Sequence, residues 1–145
     1  MCDKITRSID NNVYAIGVFF DLSKAFDTIN HDILIQKLYH YGVRGVTLDW
    51  FKSYLANRFQ FVNISGVSSQ TELITCGVPQ GSIIGPLLFL IYINDIVSSS
   101  DLLSFILFAD DTNLFYSSNS KLELMNTVNT ELEKLSQWFV LTNYL

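Results

Sequence analysis

Two adjacent carboxylates, Asp110 and Asp111, stand between the apolar runs FILF (105–108) and LFY (114–116). Runs of this composition, separated only by Ala-Asp-Asp-Thr-Asn, read as two buried strands folded back on each other with the acids at the bend. Two carboxylates about 4 Å apart repel by roughly 4 kcal/mol at an effective dielectric of 20, so seating them on a core hairpin calls for a cation. All-oxygen ligands select a hard divalent ion. A third acid, Asp21, closes the β-rich run VYAIGVFF (13–20) and so falls at the C-terminal end of a strand. An isolated Asp-Asp is also a good solvated turn, so the pair acquires chemical meaning only from the elements around it.

Those elements follow from the intervening pattern. Asn30 is placed to cap a helix carrying Ile33, Leu34, Lys37, Leu38 and Tyr41 on neighbouring turns, and Gly42 stops it. Thr47 is expected to cap a second helix, with Leu48, Phe51, Tyr54 and Leu55 on one face and an end near Asn57-Arg58. Alternation over 59–65 and 72–76 predicts a hairpin turning at 66–70. Arg44, Lys52 and Arg58 form a local basic cluster, which reads as a solvated helix face. The segment GVPQGSIIGP (77–86) surrounds Gln80 with glycines and a proline, then opens an apolar helix expected over 86–97 with Pro86 at its first position. Glycines in such a loop let backbone approach a ligand closely. Ser118 or Ser120 is placed to cap a last helix over 121–139 that turns Leu122, Met125, Val128, Leu132, Leu135 and Trp138 inward. His31 and Asn94 read as structural, and the polar residues 1–12 suggest no element.

Composition bounds the function. The chain has 145 residues, 49% hydrophobic and 14% aromatic, enough for one domain with a large core. Only 16% of residues are charged, low against about 25% in ordinary domains, so part of the surface is expected to be covered by segments outside the chain. A net charge of −5 with nine Lys and Arg argues against a freestanding nucleic-acid binder. Cys2 and Cys76 make no CxxC pair, so a zinc or disulfide framework is not expected and both read as reduced thiols in an intracellular setting, cytoplasmic or nuclear. The longest nearly apolar run, 83–93, contains Gly85 and Pro86 and is far shorter than the roughly 20 residues that span a bilayer, so no membrane partner is expected. The run 13–20 has acids on both sides and lacks a cleavage site, so it reads as a strand and not as a signal peptide.

A strand ending in an acid, a glycine loop before a buried helix, and an acid-tipped hairpin occur here in the order used by polymerase palms. FFDLSKAFDTINHDILIQKL (19–38), GVPQGSIIGPLLFLIYINDI (77–96) and LFADDTNLFY (107–116) resemble successive motifs of a reverse transcriptase, most closely those of LINE-type, non-long-terminal-repeat retrotransposons; WFKSYLANR (50–58) fits the same group. The resemblance covers about 13–143. It implies an α/β (α+β) fold, a palm-like antiparallel sheet backed by helices with parts of the fingers, within a single partial domain spanning 1–145. Further finger segments and the thumb would lie outside the chain.

The resemblance also implies roles. Asp21 and Asp110 would bind two catalytic Mg²⁺ ions, with Mn²⁺ as a substitute; Asp111 would support the site and the Leu22 carbonyl would add a ligand. Phe26 would be the steric gate that selects deoxynucleotides, while Gln80 and Gly81 would touch the incoming nucleotide and template. The partners would be an RNA template, a DNA primer and deoxynucleoside triphosphates. Two alternatives stand beside this reading: an RNA-dependent RNA polymerase palm, because Asp27 follows Asp21 at a suggestive spacing, and a non-catalytic palm remnant serving as a folding or interaction module. The 145 residues by themselves are expected not to polymerise measurably.

Overall fold

A computed structural model describes residues 2–142 as a mixed α/β protein in two compact units, one formed by residues 2–25 and 93–142 and the other by residues 26–92. The first unit is built on a three-stranded antiparallel sheet whose central strand is the last of the three in sequence. Its strands are β1 (Tyr14–Asp21), β6 (Ser104–Phe108) and β7 (Asp111–Ser118). Residues 2–10, unassigned from sequence, form helix α1 (Cys2–Asp10). It closes on Asn12, which takes a left-handed backbone (φ 53), while the Val13 amide donates to Ser8 and the Asn12 amide to Ile9. This is a Schellman closure with Asn in the usual glycine place.

Helix α5 (Lys121–Leu141) covers one face of the sheet. Ser120 caps it, accepting the Glu123 amide at 3.4 Å, and Phe139 meets Phe20 of β1 with ring centroids 6.3 Å apart. The buried stripe is Leu124, Val128, Glu131, Leu135 and Phe139. Leu122 and Met125, expected inward, are exposed. The helix carries apolar residues around most of its circumference, so the 3.6-residue period fits two phases; burying a Leu or Phe is worth about 1.5–3 kcal/mol, and the phase that seats Phe139 on Phe20 wins. Glu131 is covered in that stripe and bonded to Lys134 at 2.7 Å. Lys134 holds the Glu131 carboxyl below the usual carboxylate range, the nearby Ser100 hydroxyl acts in the same direction, and burial opposes both. Oε2 of Glu131 makes no hydrogen bond of good geometry, so Lys134 carries most of the effect.

The second unit begins with α2 (His31–His40), and Asn30 caps it as expected by accepting the Ile33 amide at 3.1 Å. Helix α3 (Gly45–Leu55) starts two residues before the expected Thr47 cap; Arg44 occupies the cap position in extended backbone with no side-chain bond. A β-ribbon follows, pairing β2 (Phe59–Gln60) with β5 (Glu72–Leu73) and β3 (Asn63–Ile64) with β4 (Val67–Ser68). Its turn is the dipeptide Ser65-Gly66, both at positive φ, tighter than the 66–70 bend expected from sequence. Helix α4 (Gly85–Ile93) is shorter than expected and passes into a 3-10 helix, Asn94–Ser99. Ile29, Leu34, Leu38, Leu88, Phe89 and Tyr92 are fully buried and form this unit's core. No helix among the described residues is long and apolar enough to cross a membrane.

Candidate active site

The acid-tipped hairpin forms as the sequence pattern requires. Phe108 pairs with Asp111, leaving Ala109 and Asp110 as a two-residue turn, with Ala109 at φ 50. A non-glycine residue in the left-handed region costs roughly 1–2 kcal/mol, so the tip is held under strain. β7 is the central strand, and on its other side Asp21 pairs in register with Asp111. Cross-strand partners share a face, with Cα atoms about 4.5–5.5 Å apart. The expected meeting of Asp21 with Asp110 thus takes the form of an Asp21–Asp111 pair, with Asp110 next in sequence on the turn. Asp21 and Asp111 are exposed and Asp110 is half-buried.

Strand alternation fixes what accompanies them. Phe19, two residues before Asp21, and Phe108, opposite Asp111, lie on the face of Asp21 and Asp111 and are 68% and 77% exposed. The opposite face, carrying Phe20, Thr112 and Leu107, turns toward the core, and Thr112 is 0% exposed. After Asp21 the chain turns sharply: the Ala25 amide donates to the Leu22 carbonyl at 3.2 Å, and Lys24 sits at φ 54. A carbonyl oxygen has two lone pairs, so Leu22 retains acceptor capacity beyond this bond.

Among the described residues no group of three or more His, Cys, Asp or Glu side chains is gathered as a ready-made metal cage. The donor chemistry nevertheless suits Mg²⁺, which binds through one or two carboxylates together with water and substrate phosphates more often than through an all-protein cage.

The other candidate residues belong to the second unit. Phe26 is half-buried and its ring lies 4.7 Å from that of buried Phe89. The Val78 amide donates to the Phe26 carbonyl at 2.8 Å and the Gly77 amide to Ile29 at 2.7 Å, which ties the glycine loop to the segment containing Phe26. Gly77 is required here: at φ +84, a Cβ would stand 2.8 Å from the Asp27 carbonyl oxygen. Gln80 is exposed and its Nε2 donates to Asp27 Oδ1 at 2.8 Å. Gly81 follows at φ 77. The Asp27–Gln80 bond, between residues 53 apart, was not legible in the sequence; it engages the acid on which an RNA polymerase alternative rests. His31 is structural as expected, its Nε2 lying 2.7 Å from the Gly77 carbonyl.

A strand and a hairpin that bring acids to one end of an antiparallel sheet are consistent with a palm-like fragment of a template-directed polymerase. The model of the reverse transcriptase (RNA-dependent DNA polymerase) family matches residues 3–143, and the chain belongs to that family. Among its relatives, the RNA-directed DNA polymerase from mobile element jockey of Drosophila melanogaster is 32% identical over 140 residues, covering 91% of the chain and 15% of that protein. A probable RNA-directed DNA polymerase from transposon BS of the same fly is 33% identical over 147 residues, covering 92% of the chain and 16% of the relative. A retrovirus-related Pol polyprotein from type-1 retrotransposable element R2 of Popillia japonica is 26% identical over 92 residues, covering 63% of the chain and 15% of the relative. The chain therefore spans about 15% of the length of the curated relatives it matches.

Proposed function

We propose that this domain contributes the metal-binding acids of an RNA-directed DNA polymerase that adds deoxynucleotides to a primer 3′-hydroxyl on an RNA template. The observation that carries the reading is the in-register pairing of Asp21 with Asp111, with Asp110 in the adjoining two-residue turn. Like charges set opposite each other across two strands are destabilising unless a cation offsets them. Asp21 and Asp110, with the Leu22 carbonyl, would hold two Mg²⁺ ions, and Asp111 would add negative charge beside them. When bound, such ions activate the attacking hydroxyl and neutralise the leaving pyrophosphate of an in-line displacement.

The chain's own residues position this chemistry. The strained Ala109 turn fixes where Asp110 sits at the end of β6 and β7, and the Leu22–Ala25 turn fixes where β1 ends. Phe26, braced by Phe89, presents a ring that would exclude a ribose 2′-hydroxyl. Gln80 and Gly81 would contact nucleotide and template, Gln80 oriented by Asp27. Triphosphate-holding cations and a duplex clamp would come from finger and thumb segments of a longer polymerase. Cationic contacts to transferring phosphoryl groups are typically worth several kcal/mol, and losing about 4 kcal/mol slows a reaction roughly a thousandfold.

Mn²⁺ titration followed by paramagnetic line broadening tests the metal site. Broadening centred on Asp21 and Asp110 is expected at neutral pH and should disappear in the Asp21→Asn/Asp110→Asn variant; equal broadening in both proteins refutes the reading. In a polymerase carrying fingers and thumb, Phe26→Val should raise ribonucleotide incorporation relative to deoxyribonucleotide incorporation, and an unchanged ratio returns Phe26 to core packing alone.

A further inference from the structure

Helix α3 carries an arrangement that the acid cluster does not use. The Trp50 indole stacks on the Tyr54 ring, with centroids 5.4 Å apart and planes at 17°, and Phe51 meets the indole edge-on at 5.1 Å. The Arg58 guanidinium lies 4.6 Å from the same Tyr54 ring and its Nε donates to the Tyr54 carbonyl, so the arginine is held in place as the chain leaves the helix. Trp50 is nevertheless 52% exposed. At the other end of α3, Arg44 lies 3.4 Å from the centroid of Tyr39, itself 54% exposed. The eleven residues of α3 span about 16 Å, so two arginine–aromatic pairs bracket one exposed indole over that length.

The local charge agrees with an anionic ligand. Between positions 33 and 71 the chain has Lys37, Arg44, Lys52 and Arg58 against the single acid Asp49, although its overall net charge is −5. Asp49 is paired with Lys52 at 3.2 Å, and at 100° per residue Lys52 falls on the opposite side of the helix from Trp50. Tyr54, four residues on, shares the side of Trp50, and Arg58 packs on Tyr54, so a flat aromatic surface and one guanidinium lie together there, with Arg44 set apart at the start of the helix. An apolar protein partner would use the indole but would leave the arginines without counter-charges. A polynucleotide uses both, because every base has a π-face that stacks on an indole and every phosphate suits a guanidinium.

We propose that Trp50, Tyr54 and Arg58, with Arg44 at the start of the helix, form a docking platform for single-stranded polynucleotide. Base stacking on Trp50 supplies most of the affinity, and Arg44 and Arg58 take the flanking phosphates. Binding is tolerant of sequence, because nothing at the platform reads base edges. All four residues lie in the unit formed by residues 26–92, so the proposal does not rest on the acids at Asp21 and Asp110.

The test is fluorescence anisotropy of labelled 15-nucleotide oligo-uridine and oligo-deoxythymidine with the 145-residue chain at low salt, alongside quenching of Trp50 emission in a Trp138→Phe background. Both strands should bind and quench Trp50, and Trp50→Ala should weaken binding by at least about tenfold. Arg44→Gln and Arg58→Gln should each lower the slope of log K against log salt by about 0.7. The Asp21→Asn/Asp110→Asn variant should bind as the parent does, which separates this site from the metal reading. Circular dichroism checks that Trp50→Ala folds; if it does not, the quenching and the arginine slopes decide. Absence of binding at low salt, binding without Trp50 quenching, arginine slopes equal to the parent's, or loss of binding in the aspartate variant would overturn the proposal.

Discussion

Replacing Asp111 by Asn should make the metal-free protein more stable. Asp21 and Asp111 are register partners on exposed strand ends, which places their carboxylates on one face of the sheet. At a separation of about 5 Å, two unit charges repel by roughly 0.8 kcal/mol at the dielectric of water and about 3 kcal/mol at an effective dielectric of 20. Exposure puts this pair near the lower figure, so a gain of about 1 kcal/mol is expected in low salt. With an unfolding entropy of about 2.1 cal/mol/K per residue, 1 kcal/mol corresponds to a rise of roughly 3 °C in Tm for a chain of 145 residues. The assay is thermal unfolding in chelator-treated buffer at low ionic strength, in 1 M NaCl, and with excess Mg²⁺. In 1 M salt the Debye length falls to about 3 Å, so the advantage of the variant should largely vanish. With Mg²⁺ the order should narrow or reverse, because an ion that binds the native acids stabilises the parent more. A variant no more stable than the parent in low salt, or one whose advantage is insensitive to salt, would refute the electrostatic argument.

Three further outcomes are expected. Thr112→Val should raise stability by about 1 kcal/mol in denaturant titration, because the Thr112 hydroxyl is fully buried without a hydrogen-bond partner and Val keeps the shape; a destabilised variant would show that the hydroxyl is satisfied. Gly77→Ala should cost about 2 kcal/mol or more, seen as a lower urea midpoint, since the new methyl meets the Asp27 backbone at 2.8 Å in a left-handed conformation. Glu131 has its pKa lowered in the folded state, chiefly by Lys134, so its contribution is present above the ordinary glutamate range near 4.3 and is lost as pH falls through the lower folded value. Glu131→Gln should therefore be less stable than the parent at pH 7, with the difference closing toward pH 3 in urea titrations; a gap independent of pH would show that Lys134 does not set it.

What was legible in the sequence had a local cause. Asn30 and Ser120 cap the helices they precede because a short polar side chain reaching back to an orphan amide is decided within four residues. The β6–β7 hairpin was equally legible, because its turn and both apolar arms are contiguous. The register across β1 and β7 was not: a slip of one residue exchanges Asp110 for Asp111 opposite Asp21, and that choice depends on which face α5 buries. The burial of Glu131 was hidden for the related reason that a charged residue reads as solvent-facing until its partner Lys134 is seen. Helix α1 offered only Ile5 and Ile9 at helical spacing, and its clearest mark, Asn12 as a left-handed cap, resembles an ordinary loop residue. The motifs identified the family through residue types, while the link between Asp27 and Gln80 needed the fold.

The connectivity of the sheet bears on how the protein is made. The hairpin of β6 and β7 closes through two residues, whereas β1 reaches β7 only after the whole unit of residues 26–92 has been synthesised between them. Closing a longer loop costs about (3/2)RT ln n, and contacts of such sequence separation form late. During translation β1 therefore emerges as an apolar strand whose pairing partner is still unmade, exposed to the wrong neighbours until β7 arrives. Asp21, its closing acid, and Asp111 of β7 stay apart over the same interval, so their mutual repulsion begins only when β1 and β7 pair. The chain thus defers the approach of these like charges until the surrounding sheet can hold them.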